Sequence, residues 1–199
     1  MNDLTALYKI GYGLYVVTTN DGTRDNGCIV NTVCQVTDVT PRVMVTLNKS
    51  THSCDTVLKT GVMNVNCLTV NAPFSVFEKF GFKSGKTFDK FNDTPSWRAK
   101  NGILVLSDNI NSYFSLKVEN TIDLDSHVMF ICTVTNGAVI NDDESMTYSY
   151  YHKNVKQKPS AKKGYVCKIC GYVYEGEPLP PDFVCPLCKH GAQDFEKIK

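Results

Sequence analysis

No stretch of the 199 residues approaches the ~20 consecutive apolar side chains that a membrane-crossing helix needs. The first nine residues carry Asp3 and no apolar run of the secretory-signal kind. A cytoplasmic location and no membrane partner are therefore expected. Net charge is also scarce: 21 basic and 20 acidic side chains leave +1. No segment of domain size is basic enough to expect a nucleic-acid partner. Internal repeats and low-complexity tracts are absent. Cysteine, by contrast, is plentiful. The chain has nine, an odd number that suits free or metal-bound thiols in a reducing compartment.

The small net charge conceals an uneven distribution. Residues 1–151 carry −3 and residues 165–199 carry −1. Between them, residues 152–164 hold five lysines and no acid. That stretch, HKNVKQKPSAKKG, has Pro, Gly and little apolar content, and reads as a linker. Thirteen flexible residues span roughly 20 Å on average and about 40 Å when extended. The expected organisation is a domain over 1–151, a linker over 152–164 and a small domain over 165–199.

The small domain contains the most specific pattern in the chain. Cys167/Cys170 and Cys185/Cys188 form two Cys-x-x-Cys pairs with 14 residues between them. Thiolates two apart on a tight turn grip one metal from the same side, and two such turns complete a tetrahedral four-sulfur site. Zinc and iron both suit four thiolates. The surroundings lean to iron. Gly171 can bring its N–H close to a sulfur, Pro186 stiffens the second turn, and Tyr165, Tyr172, Tyr174, Phe183 and Phe195 supply an aromatic core. Burial and N–H···S bonds tune a redox centre more than they serve a structural zinc knuckle.

The words YVCKICGYVYE and LPPDFVCPLCKHGAQDFE resemble rubredoxin, the one-iron electron carrier. The resemblance covers the final 35 residues and implies one iron bound by Cys167, Cys170, Cys185 and Cys188. Two features depart from a free-standing rubredoxin. The loop between the pairs is shorter, and Lys189 stands where the family usually has Gly.

The larger domain reads as mainly β. Strand signals run over 13–19, 28–37, 42–48, 62–68, 102–107, 113–119, 127–134 and 146–151, separated by turns rich in Gly, Asn and Asp. Two helices are expected, one over Ser53–Lys59 capped by Ser53, and one over Pro73–Phe80. Short strands with such punctuation indicate an antiparallel sandwich or barrel. Of the five other cysteines, Cys28, Cys34, Cys54, Cys67 and Cys132, none has metal spacing, and buried inert thiols are expected.

A one-electron iron centre needs an electron source, and a flavin is the usual converter from two-electron hydride. Asn31, Thr32 and Gln35 interrupt an apolar run with groups that suit the polar edge of a flavin ring; strand residues facing solvent are the plainer alternative. LNKSTHS (47–53) places a lysine before a helix N-terminus among hydroxyls, which resembles an anion cradle, though a plain helix cap has the same look.

Together with KIGYGLYVVTT, GVMNVN, EKFGFKSG, DSHVMFICTV and TYSYYH, these words resemble the flavin reductase family with the split β-barrel fold, in its ferric-reductase-like branch. The resemblance runs from about Leu7 to His152. It implies non-covalent FMN, a homodimer with the flavin near the subunit interface, and NAD(P)H as donor. Asn31, Thr32 and Gln35 would then lie along the isoalloxazine, and Asn48, Lys49 and Ser53 would hold the phosphate end. His127 matches a histidine near the nicotinamide, and Lys79 and Lys83 would approach the dinucleotide phosphates. Tyr148, Tyr151 and His152 match the closing strand.

The combination resembles the high-molecular-weight rubredoxin type. That implies an NAD(P)H-dependent oxidoreductase passing electrons from FMN to iron, and on to an acceptor such as a flavodiiron oxygen or nitric oxide reductase. Two other readings compete: a free flavin or ferric reductase with a structural zinc tail, and a passive carrier reduced by another enzyme.

Overall fold

A computed structural model of the chain describes residues 4–156, 163–169, 171–186 and 190–198. The chain divides into two compact units, Met1–Asn154 and Val155–Lys199. Of the linker expected over 152–164, residues 157–162 lie outside the described residues. Among the described residues no helix is long and apolar enough to cross a membrane.

The larger unit is built on a seven-stranded antiparallel sheet. In chain order its strands are β1 (Tyr15–Asn20), β2 (Asp25–Val30), β3 (Val33–Thr37), β4 (Arg42–Asn48), β5 (Val62–Leu68), then β8 (Ile110–Leu124) and β9 (His127–Val139). In space the order is β2-β1-β5-β8-β9-β4-β3. A separate hairpin of β6 (Ser96–Arg98) and β7 (Leu104–Leu106) completes it.

Period-two alternation explains the faces. On β4, Val43, Val45 and Leu47 are buried; on β9, Val128, Phe130 and Cys132 are. These side chains form one core with Val17, Met63, Val65 and Leu116. Met44 pairs with Ile131 and Thr46 with Met129 on the opposite, outward face.

Two buried asparagines on β5 stitch the hairpin to the sheet. Asn66 donates to the Val16 carbonyl at 2.9 Å and accepts from the Leu106 N–H at 2.9 Å. Asn64 donates to the Ile103 carbonyl at 3.1 Å. In the motif VMNVNCL the polar residues are thus internal partners for backbone groups that would otherwise be buried unpaired.

Helix α1 spans His52–Thr60. Its cap is Thr51, not Ser53 as expected: Thr51 is extended and its hydroxyl accepts from the Cys54 N–H. Ser53 lies inside the first turn and is fully buried. Gly61 ends the helix at φ 70° and donates to Val57.

Three other expectations need correction. The run 28–37 is two strands, because the chain turns at Asn31–Thr32. The second helix is only four residues, α2 (Phe74–Phe77), followed by a π-turn over Glu78–Phe82. Residues 146–151 form no strand. They give a short helix, α3 (Tyr148–Tyr150), and a second π-turn, Tyr151–Val155. The rings of Phe77 and Tyr151 meet at 4.3 Å where the two π-turns begin.

The smaller unit has a three-stranded sheet of β10 (Tyr165–Cys167), β11 (Val173–Tyr174) and β12 (Phe195–Lys197), ordered β11-β10-β12. Its core gathers Cys167, Cys185 and Phe195, with Tyr165, Ile169, Tyr172, Tyr174, Leu179 and Phe183 packed around them.

One buried charge gives the larger unit a pH signature. Lys90 is 3% exposed, and burial depresses its ammonium from 10.5 to about 8. The unfolded chain therefore holds more protons between these values, and this group's contribution to stability is full above 10.5 and lost as pH falls through about 8. Urea midpoints of the wild type, measured relative to Lys90→Met, should rise from pH 8 to 10.5. A flat difference over that window would contradict the assignment.

Candidate functional site

Two centres emerge, one in each unit. In the smaller unit, Cys167 and Cys185 are both fully buried. Each opens a knuckle closed by the same backbone bond to the carbonyl five residues on. The Cys167 N–H donates to Tyr172 and the Cys185 N–H donates to His190, both at 2.8 Å. Gly171, at φ 83°, lets the first knuckle turn back. Its N–H, expected near a sulfur, donates to the Cys167 carbonyl at 2.8 Å. Around the knuckles Phe183 meets Tyr174 at 4.7 Å and Phe195 at 5.3 Å. Cys170, Cys188 and Lys189 lie outside the described residues. Two buried thiols on equivalent knuckles fit a soft four-sulfur metal, and the dry aromatic shell fits a redox ion.

In the larger unit, several of the residues singled out from the sequence come together at one end of β3, β4 and β9. The Thr32 hydroxyl donates to the Thr46 carbonyl at 2.7 Å. Two residues further along β4, Asn48 lies opposite His127 in the ladder. Lys49 N–H donates to the Ser126 carbonyl at 3.1 Å. His127 Nδ1 is 2.8 Å from the Ser126 hydroxyl. Asn31 precedes this cluster in the β2–β3 turn. Gln35 stands apart on the exposed edge strand, where its amide donates to Thr37.

The start of α1 supplies the donors. Asn48 Oδ1 accepts from the Ser50 N–H at 2.8 Å and shapes the turn into the helix. The N–H groups of His52 and Ser53 have no partner among the described residues, as the first turn of a helix dictates. The Lys49 ammonium is 2.5 Å from Asp123. This pair stands over a cleft of about 260 Å³ lined also by Cys54, Asp55, Leu58, Thr121 and Val128. A helix N-terminus with a lysine just before it suits an anion. Ser53 does not face this opening. Its hydroxyl accepts from the Asn26 amide at 2.9 Å inside the unit.

The remaining candidates are spread out. Lys79 is engaged with Asp93 at 2.6 Å and Thr94 at 3.0 Å. Lys83 lies over the Phe88 ring at 5.2 Å. Tyr148 contacts Tyr151 and His152 in an aromatic group. Burial pushes the Cys54 thiol up to about 11 and the Cys132 thiol up to about 12, so both are inert near neutrality. Cys28 is also buried and raised, whereas Cys34 is exposed, contrary to expectation, because β3 is an edge strand. Asp123 and Asn26 escaped the sequence reading. Each acts on a residue far along the chain; Asn26 opens the word NGCIVNTVCQVT but drew no role there, and Asp123 lies outside the motifs.

Residues 7–159 match the flavin reductase like domain family, and residues 165–196 match the rubrerythrin, rubredoxin-like domain. The high molecular weight rubredoxin of Moorella thermoacetica is 33% identical over 98% of this chain and 100% of its own length. The ferric-chelate reductase (NAD(P)H) of Archaeoglobus fulgidus is 32% identical over 78% of this chain and 92% of its own. Among solved structures, the NADH:FAD oxidoreductase of Streptomyces globisporus C-1027 superposes with a TM-score of 0.67 at 16% identity, covering 74% of this chain and 87% of that one. At that identity the likeness speaks for the split-barrel fold. Flavin and iron are the groups that the two matched families imply.

Replacing Cys167 or Cys185 by serine is expected to remove most of the iron, and with it the visible thiolate absorption, while flavin stays with the larger unit. Metal analysis and the spectrum of each variant check this. A full iron complement in either variant would take that cysteine out of the ligand set.

Proposed function

Since the chain belongs to the flavin reductase like family and carries a rubredoxin-like domain behind it, we propose that it is an NAD(P)H-dependent, FMN-containing oxidoreductase whose electrons leave through rubredoxin-type iron. Electron transfer by way of flavin and rubredoxin is common ground for the two domains. The finer reading adds FMN as the flavin, NAD(P)H as donor, and a flavodiiron oxygen or nitric oxide reductase, or a similar protein, as acceptor. When bound, FMN supplies the conversion of hydride into single electrons, and iron supplies one-electron storage.

The observation that carries this reading is the pairing of the donor set at α1 with two buried, equivalently closed thiol knuckles in one polypeptide. In the larger unit, Lys49 and the N-terminal end of α1 would hold the phosphate. Lys49 would exchange Asp123 for it, gaining a dianion in place of a monoanion. Asn31 and Thr32, with Gln35 further along the edge, would meet the polar rim of the ring. His127, fixed through Ser126, would orient the donor's nicotinamide; positioning is most of what hydride transfer asks of a protein. In the smaller unit, Cys170 and Cys188 would complete the iron's ligands beside Cys167 and Cys185.

The outward sheet face supports a homodimer. Ile122 and Leu124 on β8 are 45% and 42% exposed and pair with Met129 and His127. Exposed apolar side chains on a sheet face suit burial against a second copy. The cytoplasm is the proposed compartment, in keeping with free thiols at Cys28, Cys34, Cys54, Cys67 and Cys132 in the larger unit.

The Lys49–Asp123 exchange gives opposite expectations for two variants. Lys49→Ala should weaken FMN binding about tenfold, and Asp123→Asn should tighten it by a few-fold. Fluorescence titration of flavin-free protein measures both. Unchanged affinity in Lys49→Ala would remove the phosphate assignment. For the donor, anaerobic addition of NADH or NADPH should bleach the flavin band; failure of both would favour a carrier reduced by another enzyme.

A further inference from the structure

Lys90 is a buried amine whose ammonium makes no ion pair among the described residues. It donates to the Gly27 carbonyl on β2 at 2.8 Å and to the Phe80 carbonyl in the π-turn at 3.1 Å. Its Nζ is also 5.9 Å from the centre of the Phe80 ring. Burying an amine without a carboxylate is costly, which draws attention to what it holds in place.

The chain between the π-turn and Lys90 folds back over β2 and α1. The N–H groups of Thr87 and Phe88 donate to the Ser84 carbonyl at 3.2 and 2.9 Å, closing a turn. Gly85 at its bend lies against Asn26, so closely that a Cβ there would stand 2.1 Å from Asn26 Oδ1. Asn26 is 3% exposed, and its Oδ1 has no hydrogen-bond partner among the described residues. The other end of the same amide donates to Ser53 in the first turn of α1. One residue past Gly85, Lys86 reaches Asp55 of α1 at 3.4 Å. The segment thus bears on α1 at two places: Gly85 packs against Asn26 of β2, which bonds Ser53, and Lys86 pairs with Asp55 at the surface.

We propose that Lys83–Lys90 is a strap that holds the first turn of α1 in place, and that Lys90 is the positioning residue pinning the strap to β2 and to the π-turn. Lys90 acts on the flavin phosphate only through Asn26 and Ser53. The proposal rests on the reading of α1 as the phosphate cradle. It assigns to a loop outside the proposed flavin-phosphate contacts a share in the discrimination between FMN and the phosphate-free riboflavin.

The test uses the full chain, stripped of flavin and titrated with FMN and with riboflavin. Lys90→Met removes the pin. Gly85→Ala is an independent variant that pushes the Asn26 amide off Ser53. Both are expected to bind FMN about tenfold more weakly while riboflavin affinity holds, as loss of an oriented helix terminus predicts. Trypsin should also cut faster after Lys83 and Lys86. A parallel fall in FMN and riboflavin affinity would mean general loosening and overturn the proposal. So would an unchanged FMN-to-riboflavin ratio in both variants while Lys49→Ala lowers it. If Lys49→Ala is itself silent, the cradle reading fails first and the strap's role falls with it.

Discussion

The ladder between β8 and β9 is the constraint on which the larger unit depends. β8 is fifteen residues long. Its first half pairs with β5 on one side, and nearly its whole length pairs with β9 on the other. One strand therefore serves both halves of the sheet. Register shifts between Ser115 and Leu116 and between Val118 and Asn120 let it do so. Bulges of this kind bend a strand and increase its twist. Beyond the second bulge, Ile122 and Leu124 fall on the outward face, and the hairpin tip at Asp125–Ser126 reaches the start of α1. There Ser126 accepts from Lys49, and Asp123 engages the Lys49 ammonium. The proposed cradle draws on an end of β4, a helix terminus and the tip of a hairpin more than 70 residues away.

The two centres use different physics. The proposed phosphate cradle relies on a surface lysine and on its ion pair with Asp123, which a phosphate can displace, so its strength depends on orientation and on competition. The thiol centre works by exclusion of water. Cys167 and Cys185 lie under a shell of aromatic rings, and their knuckles are closed by matching backbone bonds. A rigid, dry cage keeps the reorganisation around a one-electron ion small, whereas a cradle for an exchangeable or non-covalent group has to remain open to solvent.

Much of this could be read before any coordinates, for identifiable reasons. The paired Cys-x-x-Cys spacing is local and chemically specific, and the aromatic residues named around it do form the core. Strand periodicity located β1, β4, β5 and β9 because alternating burial leaves its mark on neighbouring residues. The helix at 52–60 is legible from its hydroxyls and Gly61, but the choice of Thr51 over Ser53 as its cap is not. Thr51 and Ser53 look alike in sequence, and only the backbone at Thr51 and the inward turn of Ser53 toward Asn26 separate them. The segment 146–151 looked like a strand because it is rich in Tyr and Thr, yet packing of Tyr151 on Phe77 favours a π-turn. Asp123, Asn26 and Lys90 carried no signal, since their partners are set by tertiary contacts over 27 to 74 residues.

The central claim is that electrons entering the larger unit leave through the iron of the same molecule. Anaerobic rapid-mixing of the iron- and flavin-loaded protein with NAD(P)H, followed at the flavin and ferric-thiolate bands over a range of protein concentrations, tests it most directly. The account predicts that the iron band bleaches after the flavin band, at a rate independent of protein concentration. A fully reduced flavin beside iron that stays ferric, or iron reduction that scales with protein concentration, would contradict it.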